Sequence, residues 1–262
     1  MSCVVVTGAG GGLGRALARA FSRRGHDLVL ADLDAGLLDA AAQELAAAGR
    51  VACVAGDITD PAHQAEILAL AEARFGGVGV LVNNAGITHR SPVARTDPKV
   101  LRKVMQVDWQ APLELALAAL PQLQAHRGSI VNIGSMAGWM PVLGRAAYCG
   151  AKGALAQSFE VLRCEQRQNG IHVLMVYPSF LDTPIERNAL GHDGRPARHA
   201  RSMIGVPKDA GWMAERIVVA LEKRKKRVYS DRASVAASLL WRLMPDLYQR
   251  LMTRKFAVEL EQ

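Results

Sequence analysis

The sequence CVVVTGAGGGLGRALARAF, residues 3–21, places an apolar run, a glycine-rich turn and a helical pattern in direct succession. Residues 3–6 are typical of a buried strand, and residues 15–21 have the charge pattern of an amphipathic helix. Between them, the glycines of residues 7–14 permit a tight turn whose backbone amides can approach a pyrophosphate at the positive end of the helix. This context favours a phosphate-binding loop over the alternative, a flexible turn.

The same alternation of strand and helix patterns continues along the chain. Strands are predicted at 3–7, 27–31, 51–55, 79–82, 128–133, 171–177 and 226–229. Helices are predicted at 12–24, 34–48, 60–75, 98–124, 146–169 and 207–224. Such alternation is typical of βαβ units, whose right-handed crossovers build a parallel sheet with helices on both faces. We therefore predict an α/β fold in which residues 1–230 form one doubly wound domain of about seven parallel strands.

A basic amphipathic segment, residues 231–262, follows the predicted domain. The formal net charge of the chain is +8, and residues 223–255 hold ten Lys or Arg against two Asp. Pro245 divides the helical pattern of this segment in two, because proline suits the first turn of a helix and not its interior. Two interpretations stay open. Residues 232–255 lie on an anionic membrane surface, or they pack on the body or a partner subunit with a solvated basic face. The apolar positions are Val235, Leu239, Leu240, Leu243, Met244, Leu247, Leu251 and Met252.

Composition argues against several other classes of protein. Half of the residues are apolar, yet no apolar run approaches the ~20 residues that span a bilayer. The N-terminus enters the first strand pattern directly, so we expect no signal peptide and a cytoplasmic location, with peripheral membrane attachment as the alternative. The four cysteines form no CxxC pair, which argues against a metal site or a disulfide framework. The basic segment has no established nucleic-acid motif, so we expect no nucleic-acid partner.

Asp32 ends the second predicted strand, about twenty residues beyond the glycine turn. A carboxylate at this place can accept hydrogen bonds from both hydroxyls of an adenosine ribose, and it repels a 2′-phosphate. No Arg or Lys lies inside the glycine turn or directly after Asp32 to attract such a phosphate. We therefore expect NAD(H) to be preferred, with NADP(H) not excluded. The alternative role of Asp32 is to cap the following helix.

Two further strand ends carry polar residues. Asp57 follows the third strand and could meet the adenine edge, or it could cap a helix. The sequence NNAG, residues 83–86, ends the fourth strand. Ligands of such sheets bind at the carboxyl ends of strands, so this segment suits a cofactor wall, although Asn-Ala-Gly can equally form a simple turn.

Tyr148 and Lys152 are four residues apart and lie on one face of a predicted helix. A nearby ammonium favours the phenolate and is expected to lower the tyrosine pKa from its usual ~10. Tyr148 would then be a usable acid or base near neutral pH. The alternative is an exposed helix pair without a chemical role.

Taken in order, these motifs resemble the short-chain dehydrogenase/reductase family over residues 1 to about 230. The matching residues are TGAGGGLG at 7–14, Asp57, NNAG at 83–86, Ser135 in NIGS, Tyr148 with Lys152, and Pro178 with Thr183. The resemblance implies a single Rossmann-like domain that binds a nicotinamide cofactor. It also implies reversible hydride transfer between a carbonyl and a secondary alcohol, and a homodimer or homotetramer.

The resemblance also implies roles for individual residues. Tyr148 would be the general acid or base on the substrate oxygen, Ser135 would orient that oxygen, and Lys152 would bind the nicotinamide ribose and lower the Tyr148 pKa. Thr183 would bond the carboxamide, and Gly8, Gly12 and Gly14 would line the pyrophosphate. Ser135 could instead be a turn residue at a strand end, and Thr183 a cap. The implied cofactor contacts are Thr7, Gly8, Gly12, Leu13, Gly14, Asp32, Asp57, Ile58, Asn84, Ala85, Gly86, Tyr148, Lys152, Pro178 and Thr183.

Asp108 is a departure from the family pattern, since many members have an asparagine there. That asparagine holds a water that links the lysine to solvent. A carboxylate accepts hydrogen bonds but donates none unless it is protonated, so we include Asp108 among the catalytic candidates. If Asp108 faces Lys152 through a water, it raises the Tyr148 pKa. The alternative is that Asp108 points elsewhere and caps or kinks the helix before Pro112.

We conclude from the sequence that the chain transfers a hydride between NAD(H) and a small-molecule alcohol or carbonyl, for which a lipophilic character stays open. The alternatives are a non-catalytic NAD-binding regulatory or scaffold protein and a nucleotide-sugar epimerase, for whose larger substrate domain the chain is short. Residues 184–206 are expected to cover the substrate. Their arginines could recognise an anion or simply be solvated; they are Arg187, Arg195, Arg198 and Arg201.

Overall fold

Seven parallel strands form one sheet in the computed structural model, which describes residues 2–45, 50–183, 185, 188–197 and 206–257. The strand order is β3-β2-β1-β4-β5-β6-β7, so the sheet is doubly wound, as the sequence predicted. The strands are β1 Cys3–Thr7, β2 Asp27–Asp32, β3 Val51–Ala55, β4 Val78–Asn83, β5 Ser129–Ile133, β6 His172–Tyr177 and β7 Arg227–Tyr229.

The helices also follow the predicted sequence of elements. They are α1 Gly12–Ser22, α2 Ala35–Leu45, α3 Pro61–Phe75, α4 Pro98–Met105, α5 Ala111–Ala125, α6 Ala146–Glu165, α7 Ala210–Glu222, α8 Arg232–Leu243 and α9 Pro245–Lys255. None of these helices is long and apolar enough to cross a membrane.

One predicted helix, residues 98–124, differs from the structure. A π-helical turn, Gln106–Gln110, separates α4 from α5. Pro112 lies two residues beyond this turn and has no amide hydrogen, so the carbonyl of Asp108 loses its usual helical donor and the ladder can widen. The wide turn carries Asp108 into the interior, where its side chain is fully buried.

Apolar side chains cover both faces of the sheet. On one face, Phe21 of α1 and Ile217 of α7 pack over alternate residues of the strands. On the other face, Ile67 of α3, Leu115 of α5 and Phe159 of α6 pack over the remaining residues. Both faces are therefore sealed, as a parallel sheet requires, and ligands can approach only at an edge or at a strand end.

The two C-terminal helices pack one face on the body. Tyr248, Met252 and Phe256 are buried against Met140 and the loop after β5. The Tyr248 hydroxyl donates a hydrogen bond to the Pro141 carbonyl oxygen at 2.8 Å. Pro245 begins α9, as the sequence predicted. The C-terminal segment thus joins the wall of the cleft described below.

Candidate active site

A cleft of about 830 Å³ opens at the carboxyl ends of the strands, where the strand order reverses between β1 and β4. This is the place where doubly wound sheets bind their ligands. Two candidates, Gly14 and Asp108, do not line it. Those that do are Thr7, Gly8, Gly12, Leu13, Asp32, Asp57, Ile58, Asn84, Ala85, Gly86, Ser135, Tyr148, Lys152, Pro178 and Thr183.

The turn after β1 leaves the start of α1 open toward the cleft. Gly8 and Gly12 have φ angles of +65° and +52°, which side chains other than glycine rarely adopt. The N-cap residue, Gly11, makes no side-chain capping bond, and the first turn of α1 contains no acidic residue. The amides of this turn and the positive end of the helix dipole are therefore suited to an anion such as a pyrophosphate.

Gly14 has a steric role rather than a place in the cleft wall. A Cβ atom at this position would overlap the carbonyl oxygen of Gly8 and lie 2.6 Å from Nδ2 of Asn84. That same amide of Asn84 donates hydrogen bonds to the carbonyl oxygens of Thr7 and Gly8, at 2.9 and 3.0 Å. Gly14 therefore lets α1 pack closely on the turn, and it does not line the cleft as the resemblance implied.

The carboxylate of Asp32 is held at the rim of the cleft by two backbone amides. Its Oδ2 accepts a hydrogen bond from the Gly10 amide at 2.8 Å, and its Oδ1 accepts one from the Asp34 amide at 3.1 Å. The side chain that caps the N-terminus of α2 is that of Asp34, whose Oδ1 accepts a hydrogen bond from the Leu37 amide. The capping alternative therefore applies to Asp34, and Asp32 remains oriented toward the cleft.

Asp57 has a structural partner for each carboxylate oxygen. Oδ1 accepts hydrogen bonds from the amide and the hydroxyl of Thr59, which shapes the turn before α3. Oδ2 lies 3.1 Å from the ammonium of Lys103 on α4. These contacts lower the pKa of Asp57, the largest cause being the hydrogen bond from the Thr59 amide. The N-cap of α3 is Asp60, whose side chain accepts from the Ala62 amide, so the capping alternative does not hold for Asp57. Asp57 lines the cleft, and its contact with an adenine edge stays a prediction.

Ser135, Tyr148 and Lys152 meet at the floor of the cleft. Tyr148 and Lys152 lie one turn apart on α6, and the lysine nitrogen is 5.7 Å from the centre of the tyrosine ring. Ser135, two residues beyond the end of β5, faces the Tyr148 side chain and acts to lower its pKa. The Ser135 hydroxyl oxygen also accepts from the Ala137 amide at 3.1 Å, so it is a turn residue as well.

Asp108 touches Lys152 directly. Its Oδ2 lies 3.1 Å from the lysine nitrogen, and its Oδ1 accepts a hydrogen bond from the Ile87 amide at 2.7 Å. Gly86 lies directly over this pair, since a Cβ built there would be in ordinary van der Waals contact with both charged groups, at 3.4 to 3.5 Å. The expected intervening water is replaced by a direct ion pair, and the alternative in which Asp108 only caps or kinks its helix is wrong.

The buried ion pair changes the acidity of the groups around it. Burial alone lowers the pKa of Lys152, but Asp108 and Tyr148 outweigh burial and raise it above the ordinary value. Burial is the largest influence on the pKa of Tyr148 and raises it. Lys152 and Ser135 lower this pKa, while the charge of Asp108 raises it. The net direction for Tyr148 is upward. The sequence-based expectation of a lowered Tyr148 pKa is therefore wrong, because desolvation exceeds the influence of the ammonium.

Beyond Tyr148, the cleft has an apolar wall that the sequence motifs did not reveal. Its side chains come from the loop after β5, the segment after β6 and the C-terminal helices, which no local spacing connects. They are Met140, Val142, Phe180, Ile185 and Phe256. Ser234 of α8 and the buried Arg145 add polar atoms, and Arg145 donates to the Thr88 hydroxyl at 3.1 Å.

Residues 184–206, expected to cover the substrate, are described by the structure only at 185, 188–197 and 206. Ile185 and Asn188 line the cleft, whereas Arg195 is exposed away from it. The other three arginines of the prediction lie outside the described residues; they are Arg187, Arg198 and Arg201.

Several known proteins are similar to this chain in sequence, and several solved structures share its fold. Dehydrogenase/reductase SDR family member 7B of Bos taurus is 34% identical over 261 residues, which cover 96% of this chain and 80% of the bovine protein. A short-chain dehydrogenase/reductase of Burkholderia phymatum in complex with NAD has a TM-score of 0.84 and 25% identity, over 94% of each chain. A short-chain dehydrogenase from Sphingobium yanoikuyae in complex with NADPH has a TM-score of 0.78 and 27% identity, over 97% of this chain and 96% of that one.

The short chain dehydrogenase family model matches residues 2–193, from the start of β1 to beyond the catalytic candidates on α6. Sequence, strand order and the position of the cleft therefore agree with one another. The chain belongs to the short-chain dehydrogenase/reductase family of oxidoreductases.

Proposed function

We propose that this oxidoreductase transfers a hydride between NAD(H) and a secondary alcohol or the corresponding ketone. The observation that carries the proposal is the meeting of Ser135, Tyr148 and Lys152 at the floor of the cleft, between the glycine turn and the apolar wall. The open start of α1 supports a pyrophosphate-containing cofactor. Both solved relatives described above are complexes with a nicotinamide cofactor.

When bound, the nicotinamide group would donate or accept the hydride, and the protein would handle the proton. In ketone reduction, the Tyr148 hydroxyl gives its proton to the substrate oxygen as the hydride reaches the carbon; in alcohol oxidation, the phenolate takes that proton. Ser135 donates a hydrogen bond to the same oxygen. Lys152 stabilises the phenolate, and Asp108 holds Lys152 in place. Asp32 accepts hydrogen bonds from the adenosine ribose.

The apolar wall indicates a lipophilic substrate. Met140, Val142 and Phe256 line the same cleft as Tyr148. Burying apolar substrate surface against them is favourable at about 25 cal/mol per Å². The direct test is the NAD⁺-dependent oxidation of a series of secondary alcohols of increasing chain length, followed at 340 nm. Tight NAD⁺ binding without turnover of any alcohol or ketone would instead support the non-catalytic alternative.

The cofactor preference follows from Asp32. We expect NAD⁺ to bind at least tenfold more tightly than NADP⁺, a difference of about 1.4 kcal/mol, because the carboxylate repels a 2′-phosphate. Asp32→Ser should narrow this gap, as measured by fluorescence titration of both cofactors. Asp39→Ser removes an exposed carboxylate of α2 that does not line the cleft, and it should leave the ratio unchanged. Equal affinities of the unmodified protein for the two cofactors would contradict the assignment.

The pH dependence of catalysis follows from Asp108. Alcohol oxidation requires the Tyr148 phenolate, so kcat/KM should rise with pH through the pKa of Tyr148, which burial and Asp108 raise. Asp108→Asn removes the negative charge, lowers the Tyr148 pKa and should move the alkaline rise of the profile to lower pH. Asp39→Asn is the charge-matched control and should not move it. Superimposable profiles of wild type and Asp108→Asn would show that the carboxylate is not coupled to Tyr148.

A further inference from the structure

The two C-terminal helices have an apolar face that points to solvent as well as one that packs on the body. In α9, Tyr248 and Met252 are buried on the side that faces the body. The outward side chains are 39 to 78% exposed, and we call them the outer apolar row; they are Leu239, Leu243, Met244, Leu247 and Leu251. Large apolar side chains scattered singly over a surface are ordinary, but here five of them fall within thirteen residues of two helices that pack on each other.

Basic side chains accompany this row. The pattern Leu-x-x-Arg-Leu occurs at residues 239–243 and again at 247–251. Helix positions i, i+3, i+4 and i+7 share one side, so the exposed Arg250 and Arg254 stand beside Leu247 and Leu251. Arg242 is exposed too and lies over the Trp139 ring at 5.3 Å.

The outer face of the hairpin formed by α8 and α9 carries a net positive charge. Lys255 adds a further cation at the end of α9. Against these basic residues, α8 and α9 contain a single acidic residue, Asp246. A surface of this kind combines an apolar strip with flanking cations, which is the composition of helices that lie in the plane of an anionic membrane.

We propose that the outer apolar row is the site at which this protein docks on an anionic lipid bilayer. The leucines enter the boundary between headgroups and acyl chains, and Arg250 and Arg254 contact lipid phosphates. The proposal goes beyond the catalytic function and does not depend on it, because docking requires only the outside of the hairpin.

The charges favour a bilayer over a second copy of the chain. In a two-fold symmetric contact the same patch meets itself, so a surface of net positive charge would face another surface of net positive charge. Such a contact would bring like charges together, which is unfavourable. The inside of the same hairpin places Ser234 and Phe256 in the cleft wall. Docking would therefore hold the apolar wall of the cleft beside the source of a lipophilic substrate.

The test is flotation of the full-length protein with vesicles of phosphatidylcholine alone or with 30 mol% phosphatidylserine, a composition chosen to give about the surface potential of a cytoplasmic leaflet. We expect binding to the anionic vesicles, little binding to the neutral ones, and loss of binding as salt approaches 1 M, where the screening length falls to about 3 Å. The readout involves neither cofactor nor substrate, so it can fail while the proposed catalysis stands.

Two double variants separate the charges from the apolar row. Arg250→Gln/Arg254→Gln should weaken the partition coefficient about 30-fold, since each cation near the surface is worth about 1 kcal/mol. Leu247→Ser/Leu251→Ser should weaken it at least ~10-fold through lost apolar burial. The matched controls are Arg74→Gln/Lys99→Gln and Val93→Ser, which change exposed residues of other elements and should bind as wild type. Circular dichroism and thermal melting show whether each variant is folded.

Three outcomes would overturn the proposal. Wild-type protein that fails to float with anionic vesicles at low salt does not dock on lipid. Equal binding to neutral vesicles would exclude the role of Arg250 and Arg254. A concentration-dependent dimer that is lost in Leu247→Ser/Leu251→Ser, without vesicle binding, would show that the row is a contact between copies.

Discussion

Replacing Tyr148 by phenylalanine is expected to lower kcat for both alcohol oxidation and ketone reduction by about 10² or more while the protein still binds NAD⁺. The substitution removes the hydroxyl that exchanges a proton with the substrate oxygen and keeps the aromatic ring. The ring lies 5.7 Å from the lysine nitrogen, so its packing beside Lys152 should survive. The measurement is steady-state turnover at 340 nm together with a cofactor titration of the same preparation.

The control is the same chemical change outside the cleft. Tyr229 at the end of the sheet stacks on Tyr177 with ring centres 5.5 Å apart and does not line the cleft. Tyr229→Phe should retain nearly full turnover. A Tyr148→Phe enzyme with most of its activity would remove the basis of the proposed proton transfer, and one that lost cofactor binding as well would assign Tyr148 a binding role.

Replacing Asp108 by alanine should destabilise the folded protein by about 3 to 5 kcal/mol at pH 7, the usual cost of removing one partner of a buried ion pair. Lys152 is 5% exposed, and without Asp108 it retains the Ile133 carbonyl oxygen, 3.1 Å away, as an acceptor. The Ile87 amide also loses its acceptor. Urea unfolding followed by circular dichroism measures the change in the free energy of unfolding.

Lys103 provides a comparison at equal distance. Its nitrogen is also 3.1 Å from a carboxylate, that of Asp57, but both side chains are more than 40% exposed. Exposed pairs are worth about 0 to 1 kcal/mol, so Lys103→Ala should change the free energy of unfolding by no more than that. Similar losses for Asp108→Ala and Lys103→Ala would mean that burial does not strengthen the dependence of Lys152 on Asp108.

Much of the fold could be predicted because its signals are local. Each buried strand is a short apolar run between a turn and a helical pattern, and the crossover rule then leaves few topologies. The glycine turn at 7–14 was predicted for the same reason: strand, turn and helix are consecutive in the chain. The division of the C-terminal segment into two helices could be predicted from Pro245, since proline is compatible with the beginning of a helix.

The candidate site was predictable only in part, because its geometry depends on residues far apart in sequence. Asp108 could be identified as unusual, but its direct contact with Lys152 depends on the π-helical turn that carries it into the interior. The net direction of the Tyr148 pKa depended on how deeply the phenol is buried, which spacing on a helix does not show. Gly14 matched a motif, yet its role became clear only from the position of Gly8.

The sequence by itself determined the class of fold, the glycine turn before α1 and the residues of the proposed proton transfer, since each depends on a periodic pattern or a short motif. Only the tertiary structure decided which charges touch, which glycine is there for packing, and which side chains form the apolar wall. Met140 and Phe256 are more than a hundred residues apart and meet because the C-terminal hairpin folds back over the loop after β5. Contacts of that kind arise from the packing of whole elements, and no local spacing records them.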